Sequence, residues 1–403
     1  MGDSRAALDR PPVPEGVGPV PPVRPPAGGT LPESIILAAC ALLQAYVFWR
    51  VASGPLLARH VSRRCLVGAG IVLWIAFAAG RLAGHWSPEP FALMAGLCAM
   101  TWMTLLFLLA VPLLALDVAT GFGRLLPRLA PMLRGWALAA GAALIAISCI
   151  QGLRPPIVEH QEVYLPGLRG ELDGTVIAVL ADLHVGRTFG KGWLEGRIDQ
   201  VLAERPDLIV LLGDLFEGHG RPPAYGAAIL ARLRAPLGVW AVAGNHEMLG
   251  DTAAVTALLE GSGIRVLRNR WAEIRPGLLL AGVDDLGVER SRGDDLGQAL
   301  EGRPRETTIL ITHSPLEAER AARAGVSLML AGHTHGGQIW PLGYGVRLFY
   351  PLLEGRYEVA GMPVIVTRGA GTWGPRMRLW RPGEILRLTL RATPEAGPRR
   401  RPD

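Results

Sequence analysis

TVIAVLADLH (residues 175–184) and DLIVLLGD (207–214) decide how this chain folds. Each is a short run of Val, Ile, Leu and Ala without polar interruption, which is how a strand buried on both faces reads. Each closes on residues able to bind a cation: Asp182-Leu183-His184 in the first, Gly213-Asp214 in the second. The stretch between them, about 193–204, reads as a helix, so the order is strand, helix, strand, the unit of a parallel sheet. The pattern continues outward. A helix near 224–234 leads to GVWAVAGN (238–245), and another spans about 252–260. Further strands follow in LLLAGVDD (278–285), TTILITHS (307–314), SLMLAGHT (327–334) and PVIVTRGA (363–370). An α/β domain is therefore expected over 153–392, with Pro155 and Pro156 marking the break before it.

Upstream the character changes. Half of the 403 residues are hydrophobic, only 19% are charged, and the mean hydropathy is +0.28, too apolar for an ordinary soluble protein. Apolar stretches lie near 34–52, 66–84, 91–116 and 136–152. Crossing a hydrocarbon layer of about 30 Å takes roughly 20 helical residues, and each stretch approaches or exceeds that. Residues 34–152 are accordingly expected to form a transmembrane region of about four helices, the first the shortest. Residues 1–33, rich in Pro, Gly and Ala, read as a disordered arm, and 393–403 as a disordered tail.

The formal charge of +6 comes largely from arginines flanking the apolar segments, which a membrane protein explains without nucleic acid. Arg50, Arg59, Arg63 and Arg64 sit around the first connection, and Arg124, Arg128 and Arg134 around the third. Placing those two connections in the cytoplasm puts the α/β domain on the extracytoplasmic side. Cys40, Cys65, Cys98 and Cys149 are scattered through the apolar region and suggest no disulfide framework. Gln44, Arg81 and Asp117 are few polar groups for a transport path.

Ligands of open α/β sheets bind beyond the C-terminal ends of the strands. There this chain concentrates donors: Asp182 and His184, Asp214, Asn245 with His246 and Glu247, His313, and His333 with His335. Five of its nine histidines fall in these clusters. Carboxylate, imidazole and amide oxygen without thiolate suit Mn, Fe or Zn. Seven ligands are too many for one such ion but suit two divalent ions sharing a carboxylate. Such a pair can activate hydroxide and stabilise the oxygens of an in-line displacement at phosphorus. Gly213, Gly244 and Gly332, each just before a ligand, would let the backbone turn sharply beside the metals.

The ordered blocks DLH, GD, GNHE, TH and GHTH resemble the calcineurin-like metallophosphoesterase family, over roughly residues 155–392. The run GHTHGGQ (332–338), with the anchored N-terminus, resembles its bacterial membrane-associated branch. The resemblance implies a β-sandwich flanked by helices. It implies that Asp182, His184 and His335 bind one metal and that Asn245, His313 and His333 bind the second, with Asp214 bridging. His246 would be a catalytic histidine that binds no metal and either stabilises charge or protonates the leaving oxygen. The implied substrate is a phosphate ester, a phosphodiester or pyrophosphate and among them a lipid-linked one, such as a UDP-diacylglucosamine-like compound of lipid A biosynthesis. The same metal core serves nucleases and cyclic-nucleotide phosphodiesterases, but no basic stripe interleaved with aromatics favours nucleic acid. A membrane sensor with a structural metal site is the reading from another class; a lost ligand would have supported it, and none is lost.

Other residues carry weaker readings. Arg187, Lys191 and Arg368 could meet a phosphate, though surface charge is the commoner role. Glu247 could orient His246 or be a solvated acid. Asp284 and Asp285 end another strand and read first as turn residues, with lining the pocket as the competing role. Trp340, Tyr344, Phe349, Tyr350 and Trp373 read first as core, with a lipid-facing wall as the competing role.

Overall fold

The computed structural model describes residues 33–53, 62–82, 89–186, 188–217, 222–288 and 294–393. The expected arm apart from Glu33, the tail beyond Thr393, and Arg59 and Arg187 lie outside the described residues.

Four helices come first: α1 (Glu33–Ala52), α2 (Arg63–Leu82), α3 (Glu89–Ala119) and α4 (Ala130–Leu153). Each is long and apolar enough to cross a membrane. Little of their surface is covered, and the side chains left outside are apolar, Leu42, Val118 and Trp136 among them. That distribution suits a hydrocarbon solvent, which needs no polar outer face. Several polar groups turn inward and are paired. Arg50 Nε lies 2.6 Å from Asp117 Oδ2, which also accepts from the Tyr46 hydroxyl at 2.6 Å. Gln44 Oε1 accepts from Trp102 Nε1 at 2.8 Å. These groups pin helices together. α4 begins six residues or so before the apolar run that announced it, with Pro131 in its first turn, where a missing N–H costs nothing.

The second region follows in chain order. It contains β1 (Ile157–Leu165), β2 (Val176–Leu180), α5 (Lys191–Ala203), β3 (Leu208–Leu211), α6 (Ala224–Leu230) and β4 (Val239–Ala241). Next come α7 (Asn245–Leu249), α8 (Thr252–Gly261), β5 (Arg265–Val266), β6 (Arg270–Arg275), β7 (Leu278–Gly282) and α9 (Asp295–Leu300). Then follow β8 (Thr307–Ile311), α10 (Ala318–Arg323), β9 (Leu328–Ala331), α11 (Leu342–Val346), β10 (Gly355–Val359), β11 (Met362–Val366) and β12 (Glu384–Ala392). One sheet has the order β1-β12-β2-β3-β4-β5 and the other β10-β11-β9-β8-β7-β6. β2, β3, β4 and β5 run parallel, as do β7, β8, β9 and β11.

The period of two along each strand explains the layering. Ile177, Val179, Leu208 and Val210 of the first sheet meet Leu278, Leu280, Ile309 and Leu328 of the second in one buried core. Their alternates, Ala178, Leu180, Ile209 and Leu211, pack on Leu194, Ile198, Ile229 and Leu259 of the helices outside the first sheet. On the far side Leu310, Met329 and Val364 pack against Leu296, Ala318 and Ala321. The result is a β-sandwich between helices, as the resemblance implied.

The sandwich is seated on the helices. Leu108 of α3 is buried with Ile339, Met377 and Leu379, and Leu144 and Ile145 of α4 pack around them. The Arg378 N–H donates to the Ser148 carbonyl at 3.0 Å, and the Trp380 N–H to Gln151 Oε1 at 2.8 Å.

Candidate metal centre

The parallel strands β2, β3, β4, β8 and β9 all end at one edge of the sandwich, and the turns leaving them carry the seven donors. Those turns are held in unusual backbone. Asp182, His184, Asp214, His333 and His335 all have positive φ, between 45° and 71°. Non-glycine residues rarely sit there, and such strain clusters where function over-determines a conformation. Cross-strand hydrogen bonds fix the turns: Asp182 N–H to the Gly213 carbonyl at 3.1 Å, His184 N–H to the Asp214 carbonyl at 3.0 Å, and Gly332 N–H to the His313 carbonyl at 2.8 Å. Gly244 is obligatory, because a Cβ there would run into the Asp214 carboxylate.

The side chains meet in two groups around Asp214. On one side His335 Nε2 is 3.2 Å from His184 Nε2 and 3.5 Å from Asp182 Oδ1, while His184 Nε2 is 3.8 Å from Asp214 Oδ2. On the other, Asn245 Oδ1 lies 3.0 Å from His313 Nε2 and 2.9 Å from His333 Nδ1, and His313 Nε2 is 3.3 Å from the same Asp214 Oδ2. All seven expected metal residues are thus brought together, with one Asp214 oxygen between the two groups. His246 approaches as well, its Nε2 3.9 Å from Asp214 Oδ2 and its ring edge-on to His184 with centroids 4.8 Å apart.

Electrostatics test whether these residues suit cations. Burial, reinforced by neighbouring imidazoles, pushes His184 down to about 3 and His333 down to about 4, so both rings are neutral and offer lone pairs. Burial pushes Asp182 up to about 7, the cost of a carboxylate held out of water. Burial works the same way on Asp214, but the pull of His313, His246 and His184 outweighs it and holds that carboxyl well below its usual range. Burial would lower His313, yet Asp214, Asp182 and Asp285 hold its pKa well above the usual imidazole value. Three carboxylates around one buried ring demand positive charge at this point. A divalent ion meets that demand by displacing the proton. Asp182 Oδ1, one of these donors, is buried without a hydrogen-bond partner, as an oxygen kept for a cation would be. In the neutral ring His313 Nδ1–H donates to the Leu212 carbonyl at 2.7 Å, which turns Nε2 into the cluster. Donor type and arrangement fit divalent metal.

Several neighbours differ from their sequence reading. Glu247 is neither a solvated acid nor a partner of His246. It is buried, and its carboxylate accepts from the N–H groups of Asp214, Gly244, Leu215 and Phe216 at 2.7, 2.9, 2.8 and 3.3 Å. Asp284 is engaged by Arg268, whereas Asp285 is fully buried beside the cluster. Lys191 is an exposed partner of Glu195, and Arg368 is tied to Glu159, Glu384 and Glu354. Arg378, unremarked in the sequence, is fully buried and donates to the carbonyls of Gly371, Arg368 and His335, bracing the turns behind the donors.

The aromatic run is mostly not core. Trp340, Tyr344, Phe349 and Trp373 are exposed; only Tyr350 turns in, its ring 4.8 Å from that of His333. The donors open into a cavity of 560 Å³ lined on one side by Leu342, Val346, Leu348 and Phe349 and on the other by Met100, Met103 and Thr104 of α3.

Comparison with known proteins bears on the class. Residues 175–337 match the family described as calcineurin-like phosphoesterase. A transmembrane protein with metallophosphoesterase domain from Bos taurus is 35% identical over 269 residues, which is 62% of this chain and 61% of that one. An uncharacterized metallophosphoesterase from Aquifex aeolicus is 36% identical over 230 residues, 54% of this chain and 86% of that protein. Another, from Bacillus subtilis, is 30% identical over 272 residues, covering 64% and 94%. The chain belongs to the calcineurin-like metallophosphoesterase family. It spans about three-fifths of the Bos taurus and Danio rerio relatives.

Proposed function

We propose that this chain is a membrane-anchored phosphoesterase that hydrolyses a phosphodiester or pyrophosphate at a two-ion centre. Asp182, His184 and His335 would hold one divalent ion and Asn245, His313 and His333 the other, with Asp214 shared by the two groups; Mn, Fe and Zn all suit the donors. The carrying observation is the pair of donor groups converging on one Asp214 oxygen, 3.8 Å from His184 and 3.3 Å from His313.

When bound, the ions would supply Lewis acidity to the phosphate oxygens and lower the pKa of a water beside them. The chain's own groups do the rest. His246, which lines the cavity, gives a proton to the departing oxygen. Glu247 holds the Asp214 and Gly244 turns at a fixed separation through four N–H groups. The apolar walls limit bulk water around the reacting phosphate.

The four helices place the protein in a membrane, and the relatives whose names include the word transmembrane agree with that reading. The arginine pattern of the connections puts the catalytic domain on the extracytoplasmic side. Activity of the purified full-length chain against phosphomonoesters, diesters and nucleotide–lipid pyrophosphates, with Mn, Fe or Zn restored after chelation, tests the proposal. Metal-dependent cleavage of a diester or pyrophosphate is expected. Cleavage of none of them under any metal would refute it.

A further inference from the structure

The third helix is a wall of the metal-site cavity as well as an anchor, and its length says where that wall sits. α3 has 31 residues, more than the roughly 20 that cross a hydrocarbon layer. Counting that many back from Ala119 puts the catalytic-side edge of the layer near Met100. Leu108, buried against Ile339, Met377 and Leu379, then lies about 12 Å further in at 1.5 Å per residue. Counted the same way from Ala130, the edge in α4 falls near Cys149, and Leu144 and Ile145 lie about 6–8 Å inside it. That count would set the face of the sandwich that carries Ile339 and Leu379 in the outer part of the bilayer.

Around that face the side chains have the composition of a membrane boundary. Trp340, Trp373 and Trp380 are about half exposed, Tyr344 is 66% exposed, and Leu348 is 80% exposed. A cluster of exposed Trp, Tyr, Leu and Phe is costly against water and typical of the headgroup level. The cavity mouth lies between this ridge and α3, bounded by Leu348 and Phe349 on one side and by Met100, Met103 and Thr104 on the other. The donors His184, Asp214 and His333 line the same cavity, so the apolar mouth and the metal site are continuous.

We propose that the substrate is an amphiphile taken laterally from the bilayer, its phosphate reaching the metal site while its acyl or alkyl chain lies between α3 and the 342–349 ridge. This rests on the phosphoesterase reading above. The two can be separated with a matched pair of diesters, methyl 4-nitrophenyl phosphate and hexadecyl 4-nitrophenyl phosphate. Both release the same nitrophenolate from the full-length protein in lipid nanodiscs with Mn²⁺. The hexadecyl ester should show kcat/KM at least tenfold above the methyl ester, and Leu348→Glu should cut that ratio by tenfold or more. Equal efficiency toward both esters, or a ratio unchanged in Leu348→Glu, would overturn the lateral route and leave the phosphoesterase reading intact. Cleavage of neither ester under Mn, Fe or Zn, together with no cleavage of the nucleotide–lipid pyrophosphates, would overturn both. A measurement independent of turnover guards against a poorly folded variant. In Leu348→Trp, nanodiscs of lipid brominated on the acyl chain should quench the added tryptophan emission; unquenched emission would place the ridge in water and refute the proposal.

Discussion

Replacing Glu247 should damage fold and metal binding together, by an amount its contacts let us state. Oε2 accepts from the N–H groups of Asp214 and Gly244, and Oε1 from those of Leu215 and Phe216. Three of the four contacts are 2.9 Å or shorter, and the carboxylate is buried. A hydrogen bond to a charged group contributes about 1.5–3 kcal/mol, and a buried N–H left unpaired costs about 1–3 kcal/mol. Burial pushes Glu247 up, with Asp214 adding to the effect, so part of that gain is offset by holding a carboxylate out of water. A net loss of about 3 kcal/mol is expected for Glu247→Ala. In a domain of this size that corresponds to a fall in Tm of roughly 10 °C. Glu247→Gln should rescue little, because either orientation of the amide turns its NH₂ toward two backbone N–H groups. Metal affinity should fall about 10–100-fold, the usual effect of removing a group that positions ligands. Thermal unfolding by circular dichroism and metal titration of the same samples provide the assay. A Tm within 2 °C of the parent (about a fifth of the expected shift) with unchanged metal affinity would refute the reasoning.

Three further outcomes follow from the same structure. His246→Gln should keep its metal while turnover falls about 10²–10⁴-fold, with a smaller loss for nitrophenyl esters, whose leaving group needs little protonation; equal losses for good and poor leaving groups would exclude the acid role. Burial pushes Glu384 up to about 7 from the ordinary 4.5, Arg368 opposing, so the folded state favours its protonated form. Its stabilising contribution is then complete below about 4.5 and disappears as pH rises through 7; Tm measured across that window should fall less in Glu384→Gln than in the parent, and parallel curves would contradict this. If the domain faces the extracytoplasmic side as proposed, a fusion of alkaline phosphatase after Thr393 should be active and one of green fluorescent protein dark; the reverse pattern would move it to the cytoplasm.

Much of the site was legible because strand and ligand signals coincide. A strand buried on both faces shows as an uninterrupted apolar run, and β2, β3, β4, β8 and β9 each end on a donor. β1 was not legible. IVEHQEVYL mixes Glu159, His160, Gln161 and Glu162 with its apolar residues because it is an edge strand, and its partner β12 lies more than two hundred residues away. β10 and β6 are likewise outer strands with alternating exposure. Glu247 could not be read, since a carboxylate that caps backbone N–H groups looks in sequence like any acid on a short helix. The aromatic run after GHTH was misread as core because composition does not say which solvent a side chain faces. Nor does any local pattern tell that Met100 and Met103, two methionines in an apolar helix, border the cavity of a domain that begins some fifty residues later.

The central claim is that one carboxylate joins two cation sites, and metal content tests it most directly. The full-length protein and Asp214→Ala, saturated with Mn²⁺, freed of excess metal and analysed by mass spectrometry, should differ sharply. About two ions per chain are predicted for the parent and well under one for the variant. A parent that holds a single ion, or a variant that still carries two, would contradict the account.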